Sequence, residues 1–255
     1  MRSSKEKAIA AIISQPEDVQ KGYLARELVL CTLPHRDPGE AMIWKRTNGN
    51  ITMSITPAAN HRTGKSVGLP YGSIPRLILF WIITEAITTQ SRRIVLGTSM
   101  NEFMRAVGLS PETGGGKRSD VKRLREQMMR LLRCRISFDR TDNPPGRKSW
   151  LDMEVAPQGE TWWDSSQTDQ SGLFESYIVL GELFYDAIRA QPVPLDLRAL
   201  KALKQSPFAL DLYAWATYRV YTLGKSKQKQ ASIPLLLLSG PVRCSTPAWR
   251  SPNKA

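Results

Sequence analysis

The sequence predicts an α+β fold: a winged helix-turn-helix domain followed by a second, incomplete, winged-helix-like unit. Three observations predict it. Three helical segments follow one another between Arg76 and Arg133, the second opening on the capping pair Ser99 and Glu102. Two strand-like runs, Arg135 to Asp139 and Trp150 to Val155, come next, joined by a turn segment with the core Asn143-Pro144-Pro145-Gly146. From Gly172 a further strand-like run and three more helical segments begin a new unit. With 41% hydrophobic and 23% charged residues in 255, the chain has enough apolar surface to bury a core. The expected organisation is 1–67 for N-terminal helices and a β-hairpin, 68–171 for the winged helix, 172–238 for the partial second unit and 239–255 for an unfolded tail.

Taken in order, Lys5 to Ser14 and Glu17 to Leu30 read as two helices, ending before Pro34 and Pro38. Met42 to Arg46 and Ile51 to Thr56 flank Asn48-Gly49, a dipeptide that supplies positive φ at low cost and so marks a hairpin. Ile51, Met53 and Ile55 alternate with Thr52, Ser54 and Thr56, so one face of the hairpin is buried. Pro57 to Gly68 reads as a loop carrying His61, Arg62 and Lys65, for which exposed filler is the plain reading. Pro75 suits the first turn of a helix over Arg76 to Gln90, with Leu77, Phe80, Trp81, Thr84 and Ile87 at helical spacing. A short strand, Ile94 to Leu96, follows, then the Ser99 helix that Gly108 closes, then a helix from Arg118 to Arg133.

In the second unit, a strand near Tyr177 to Leu180 precedes helices at Glu182 to Arg189, Leu197 to Leu203 and Pro207 to Leu223. Leu210, Tyr213, Ala214, Thr217 and Tyr221 recur at helical spacing, which favours core aromatics over base-stacking ones; Trp162 and Trp163 are read the same way. Ser239 to Ala255 contains three prolines and no periodic apolar face, so removing it is expected to leave thermal stability almost unchanged.

A net charge of +13 implies an anionic partner. Double-stranded DNA is the first candidate and an anionic membrane surface the second. No membrane span is expected, because in the first 200 residues the longest apolar run, Leu77 to Ile83, falls far short of the roughly 20 residues a bilayer needs. The early run Ala8 to Ile13 is too short for a signal-peptide core, and three scattered cysteines suit a reducing cytoplasm rather than a disulfide framework.

The strongest chemical signal is the segment Lys117 to Arg135, in which eight Lys and Arg face only Asp120 and Glu126. Val121, Leu124, Met128, Leu131 and Leu132 form its apolar stripe, and Ser119, Lys122, Arg123, Glu126, Gln127, Arg130 and Arg133 are expected to fan over the opposite face. Together with Lys117 and Arg118, these are the candidate DNA-binding residues. In a major groove Arg and Lys grip guanine, Gln reads adenine and the other cations reach phosphates. A solvated basic face is the plain alternative. Arg147 and Lys148, on the loop from Thr141 to Lys148, are candidates for a wing that follows the backbone.

No cofactor, metal or catalytic residue is expected. Gly114-Gly115-Gly116-Lys117 departs from a phosphate-binding loop, since Pro111 stands where its first glycine belongs and Arg118 where Ser or Thr should follow. Cys31 and His35 are four apart but lack further ligands nearby, and His35 and His61 are the only histidines, so the chain is not expected to be an enzyme.

The string Gly68-Leu69-Pro70-Tyr71-Gly72-Ser73-Ile74-Pro75-Arg76-Leu77 resembles the plasmid-encoded RepA replication initiators. So do Trp81, Thr84-Glu85-Ala86, Glu102-Phe103-Met104-Arg105, Gly108-Leu109 and the hairpin Trp44 to Asn50. The resemblance runs from about Trp44 to Leu238 and implies a cytoplasmic bacterial protein that binds repeated sequences at a plasmid origin. It further implies help in duplex opening, recruitment of host replication proteins and repression of its own gene as a homodimer. From Gly240 the sequence no longer resembles the family, as a truncated or frameshifted gene would produce, so a DNA-binding repressor or copy-number regulator without initiation activity is the alternative.

Overall fold

The computed structural model describes residues 4–15, 19–111, 120–140, 150–161 and 176–223. In chain order the elements are α1 (Ser4–Ser14), β1 (Lys21–Ala25), α2 (Arg26–Leu30), β2 (Trp44–Asn48), β3 (Ile51–Thr56), α3 (Ser73–Thr89) and β4 (Arg93–Gly97). There follow α4 (Met100–Ala106), α5 (Asp120–Leu132), β5 (Arg135–Arg140), β6 (Trp150–Glu154), β7 (Gln158–Glu160), β8 (Ser176–Val179), α6 (Glu182–Ala190), β9 (Pro192–Asp196), α7 (Leu197–Leu203) and α8 (Pro207–Leu223). The mixed helix and sheet fold is as expected.

The centre of the molecule is α3. Its side chains Ile74, Leu77, Ile78, Leu79, Phe80, Ile82, Ile83 and Ala86 are all buried, leaving almost no polar face, which is the signature of a helix enclosed on every side. It packs against β1, α5, α6, α8 and β4, and Trp81 meets Phe103 of α4 edge to face with ring centroids 5.2 Å apart. Buried side chains from Leu24 to Trp215 form one continuous core.

The hairpin at Asn48-Gly49 forms as the sequence predicts, with Gly49 at φ 58° and Asn48 paired with Ile51. It does not stand alone. β3 pairs antiparallel with β5, Met53 opposite Phe138 and Ile55 opposite Ile136, giving a four-stranded sheet in the order β2-β3-β5-β6. Alternation then buries Met53, Ile55, Ile136, Phe138 and Met153 on one face. β4 instead joins a three-stranded sheet, in the order β4-β8-β7.

One expected helix forms only in its last part, as α2 (Arg26–Leu30). Where Glu17 to Leu30 reads locally as helical, Lys21–Ala25 is a strand paired antiparallel with β9, Tyr23 opposite Pro194 and Leu24 opposite Val193. A glycine at position 22 weakens the helix by about 1 kcal/mol relative to alanine. The glycine lets the strand pack closely, since a Cβ there would press on the Leu197 side chain. The Tyr23 amide donates to Thr84 Oγ1 at 2.9 Å, tying the strand to α3.

Candidate nucleic-acid interface

The basic helix is positioned by its apolar side. In α5, Leu124, Met128, Leu131 and Leu132 are buried against α3 and the core, which fixes the helix's rotation and turns Lys122 and Arg123 outward. Arg123 is 60% exposed and pairs with Asp120 at 3.2 Å, one helical turn away. A pair this exposed is worth only a few tenths of a kcal/mol, so its guanidinium is readily given up to another anion. Glu126 and Met129 are exposed on the same side.

Two of the expected readers point elsewhere. Gln127 is 5% exposed, and its Oε1 accepts the Tyr71 amide at 2.9 Å. Arg130 is 16% exposed: it donates to the Leu69 carbonyl at 3.2 Å, forms an ion pair with Glu126, and lies over the Tyr71 ring at 5.4 Å. Both residues hold a strap, 68–71, across the edge of the helix, and Glu126 is occupied by the same arrangement. Gly68 sits in this strap at φ +85°, a left-handed conformation that favours glycine, and the Arg130 guanidinium packs against it. The physical reason for the correction is rotational. Gln127 stands only about 40° around the helix from buried Leu131, so a strap from a distant part of the chain was enough to cover it. Arg133 is half-buried and donates to the Ala59 carbonyl at 3.4 Å.

Gln127→Ala is therefore expected to cost stability rather than DNA affinity. It strands the partly buried Tyr71 amide, at about 1 to 3 kcal/mol, which thermal melting measures. Lys117, Arg118, Ser119, Arg147 and Lys148 lie outside the described residues.

The remaining candidates resolve into structural roles. His35 Nε2 lies 2.7 Å from Asp211 rather than facing Cys31, whose thiol is pushed up to about 11 chiefly by burial and is held neutral. Burial likewise pushes Cys134 up to about 12. Among the described residues no group of three or more His, Cys, Asp or Glu is placed to hold a metal ion, and no helix is long and apolar enough to cross a membrane. Ser99 Oγ caps α4 by accepting the Glu102 amide, while the Glu102 carboxylate takes the Thr98 amide at 2.8 Å.

A buried polar hub joins α3 to α8. Asp211 of α8 receives Arg76 Nε at 2.7 Å on one oxygen, and a second Arg76 nitrogen at 2.8 Å on the other. The rest of the Arg76 guanidinium donates to the carbonyls of Leu33, Pro34 and Gly72. Burial alone would raise the Asp211 carboxyl, but the charge of Arg76 and hydrogen bonds from His35 and Arg76 outweigh it and hold the carboxyl below its ordinary value.

The family described as plasmid encoded RepA protein matches residues 69–234, a span that contains Tyr71, Arg76, α5 and Asp211. The chain belongs to that family. The RepA match ends just short of Leu238, where the sequence resemblance stops. In fold the chain is similar to a crystal structure of selenomethionine derivatives of domains 2 and 3 of RctB. That likeness has a TM-score of 0.50 and 9% identity, and covers 80% of this chain and 77% of that one. A second crystal structure, of RctB domains 2–3, covers 80% of this chain and 70% of that one at TM-score 0.44 and 9% identity. No curated protein matches.

Proposed function

We propose that this RepA-family protein is a plasmid replication initiator. In this reading it binds repeated sequences in double-stranded origin DNA through the outer face of α5, promotes duplex opening and recruits host replication proteins. The observation that carries the reading is the basic helix. Its apolar side is locked into the core while Lys122 and Arg123 project from the surface, in a chain with a surplus of thirteen positive charges. The N-terminal half of such a helix suits a major groove, and the helix, strand, helix, helix, hairpin order from α3 to β6 is that of a winged helix. In this reading the protein acts by binding, since recognition by charge and shape needs no bond to be made or broken.

Binding should be strongly salt-dependent, because each phosphate neutralised releases condensed counterions. A log–log slope steeper than about −4 is expected, roughly a 250-fold loss of affinity for a fourfold rise in salt. Fluorescence anisotropy on an origin duplex measures it, and a flat titration would remove the DNA reading. Retarded fragments with several copies bound to iterated repeats of about 20 base pairs, two helical turns each, are the mark of an initiator. A single site at its own promoter would instead mark a repressor. Supercoiled plasmid with Mg²⁺ should stay intact, and nicking would show an enzyme.

A further inference from the structure

We infer that the basic loop at residues 58–67 is a second contact to DNA phosphates, held in place by the recognition helix itself. The inference rests on the docking of α5 proposed above. The loop is a built element: Val67 donates to the Ala58 carbonyl at 3.0 Å, Asn60 to the Lys65 carbonyl at 2.8 Å, and Ala59 bridges Ser66. Inside it, Asn60 Oδ1 accepts the amides of Arg62 at 2.9 Å and Thr63 at 3.3 Å, and Gly64 turns at φ +67°. This order is not explained by burial, since every side chain from His61 to Ser66 is exposed.

Two arginines of the α5 region fix the loop's place. Arg133 holds Ala59 at its start, and Arg130 holds Leu69 just beyond its end. His61, Arg62 and Lys65 are therefore exposed on a loop tied to the C-terminal end of the helix that carries Lys122 and Arg123. No acidic residue occurs from Pro57 to Gly72, and no described carboxylate pairs with any of the three. From Lys122 to Arg133 the helix rises about 16 Å, more than the roughly 12 Å width of a major groove. With the N-terminal half in the groove, an element at the other end lies over the flanking sugar-phosphate strand, where point charges meet phosphates rather than base edges.

The test uses the full chain and the double variant Arg62→Ala/Lys65→Ala, with two duplexes of about 30 base pairs, some three helical turns. One carries a segment of the plasmid's own origin and the other an arbitrary sequence. Loss of two phosphate contacts should make the salt slope shallower by about 2 and weaken both duplexes by the same factor. Thermal melting should not change, because both side chains are exposed. Arg133→Ala, which unties the loop while leaving its cations present, should give a smaller loss of the same kind. If the wild type binds and the double variant keeps its slope, the loop is an ordinary solvated turn and the inference falls alone. Loss confined to the origin duplex would overturn the phosphate assignment. If the wild type binds neither duplex, the DNA reading falls with it.

Discussion

Replacing Asp211 with Asn, or Arg76 with Met, is expected to lower the stability of the fold by about 3 to 5 kcal/mol, the usual cost of leaving one member of a buried ion pair without the other. Arg76 is 3% exposed and Asp211 7%, so neither charge has water to turn to once its partner is gone. The hydrogen bonds from Arg76 also end on three different parts of the chain. The carboxylate belongs to α8, Gly72 precedes α3, and Leu33 and Pro34 belong to the segment after α2. Loosening the hub therefore frees three segments at once. Thermal melting should fall by roughly 6 to 20 °C for a chain of this size. The double variant Arg76→Met/Asp211→Leu should recover the ion-pair part of the loss but stay below wild type, because the three carbonyls lose their donor. Single variants as stable as wild type would show that the hub contributes nothing.

The same carboxyl has a pH signature. Its folded value is lowered, so its contribution is complete above the ordinary aspartate value of about 3.9 and is lost as pH falls through the lowered one. The melting gap between wild type and Asp211→Asn should narrow as pH falls below about 4.

The second large effect concerns DNA. Arg123→Ala is expected to weaken binding by about 1 to 3 kcal/mol, roughly 5- to 150-fold, if its guanidinium reads a base edge, and to relax specificity at that one position. Lys122→Ala should weaken all sequences about equally and make the salt slope shallower by about 1, as a phosphate contact does. Neither change should lower the melting temperature by more than a degree or two, since both side chains are exposed and the Asp120 pair is weak. This separates them from Gln127→Ala, which should do the opposite. Affinity unchanged in both Arg123→Ala and Lys122→Ala would move the interface off α5.

Local pattern made much of this legible. The hairpin at Asn48-Gly49, the enclosed helix after Pro75, the Ser99 cap and the Pro207–Leu223 helix all follow from residue chemistry within a few positions, and each forms where the sequence places it. The strands β1 and β9 were not legible. β9 contains Pro192 and Pro194, which cannot donate to a ladder, and β1 contains Gly22; each is a poor strand alone and exists because the other lies beside it. The loop at 58–67 had a readable charge but no readable neighbour, and its importance comes from Arg133 meeting Ala59, 74 residues away.

What the sequence determined by itself was the mixed fold class, the surplus of positive charge and an amphipathic helix with a basic side. These depend on composition and on periodicity along a few turns. What only the tertiary structure decided was which cations of that helix remain outside. Periodicity sets the angle between two side chains on a helix, but not what packs along each edge. Gln127 and Arg130 share their helix with Lys122 and Arg123, yet they face a strap that arrives from 56 and 61 residues away, and there they hold the fold together.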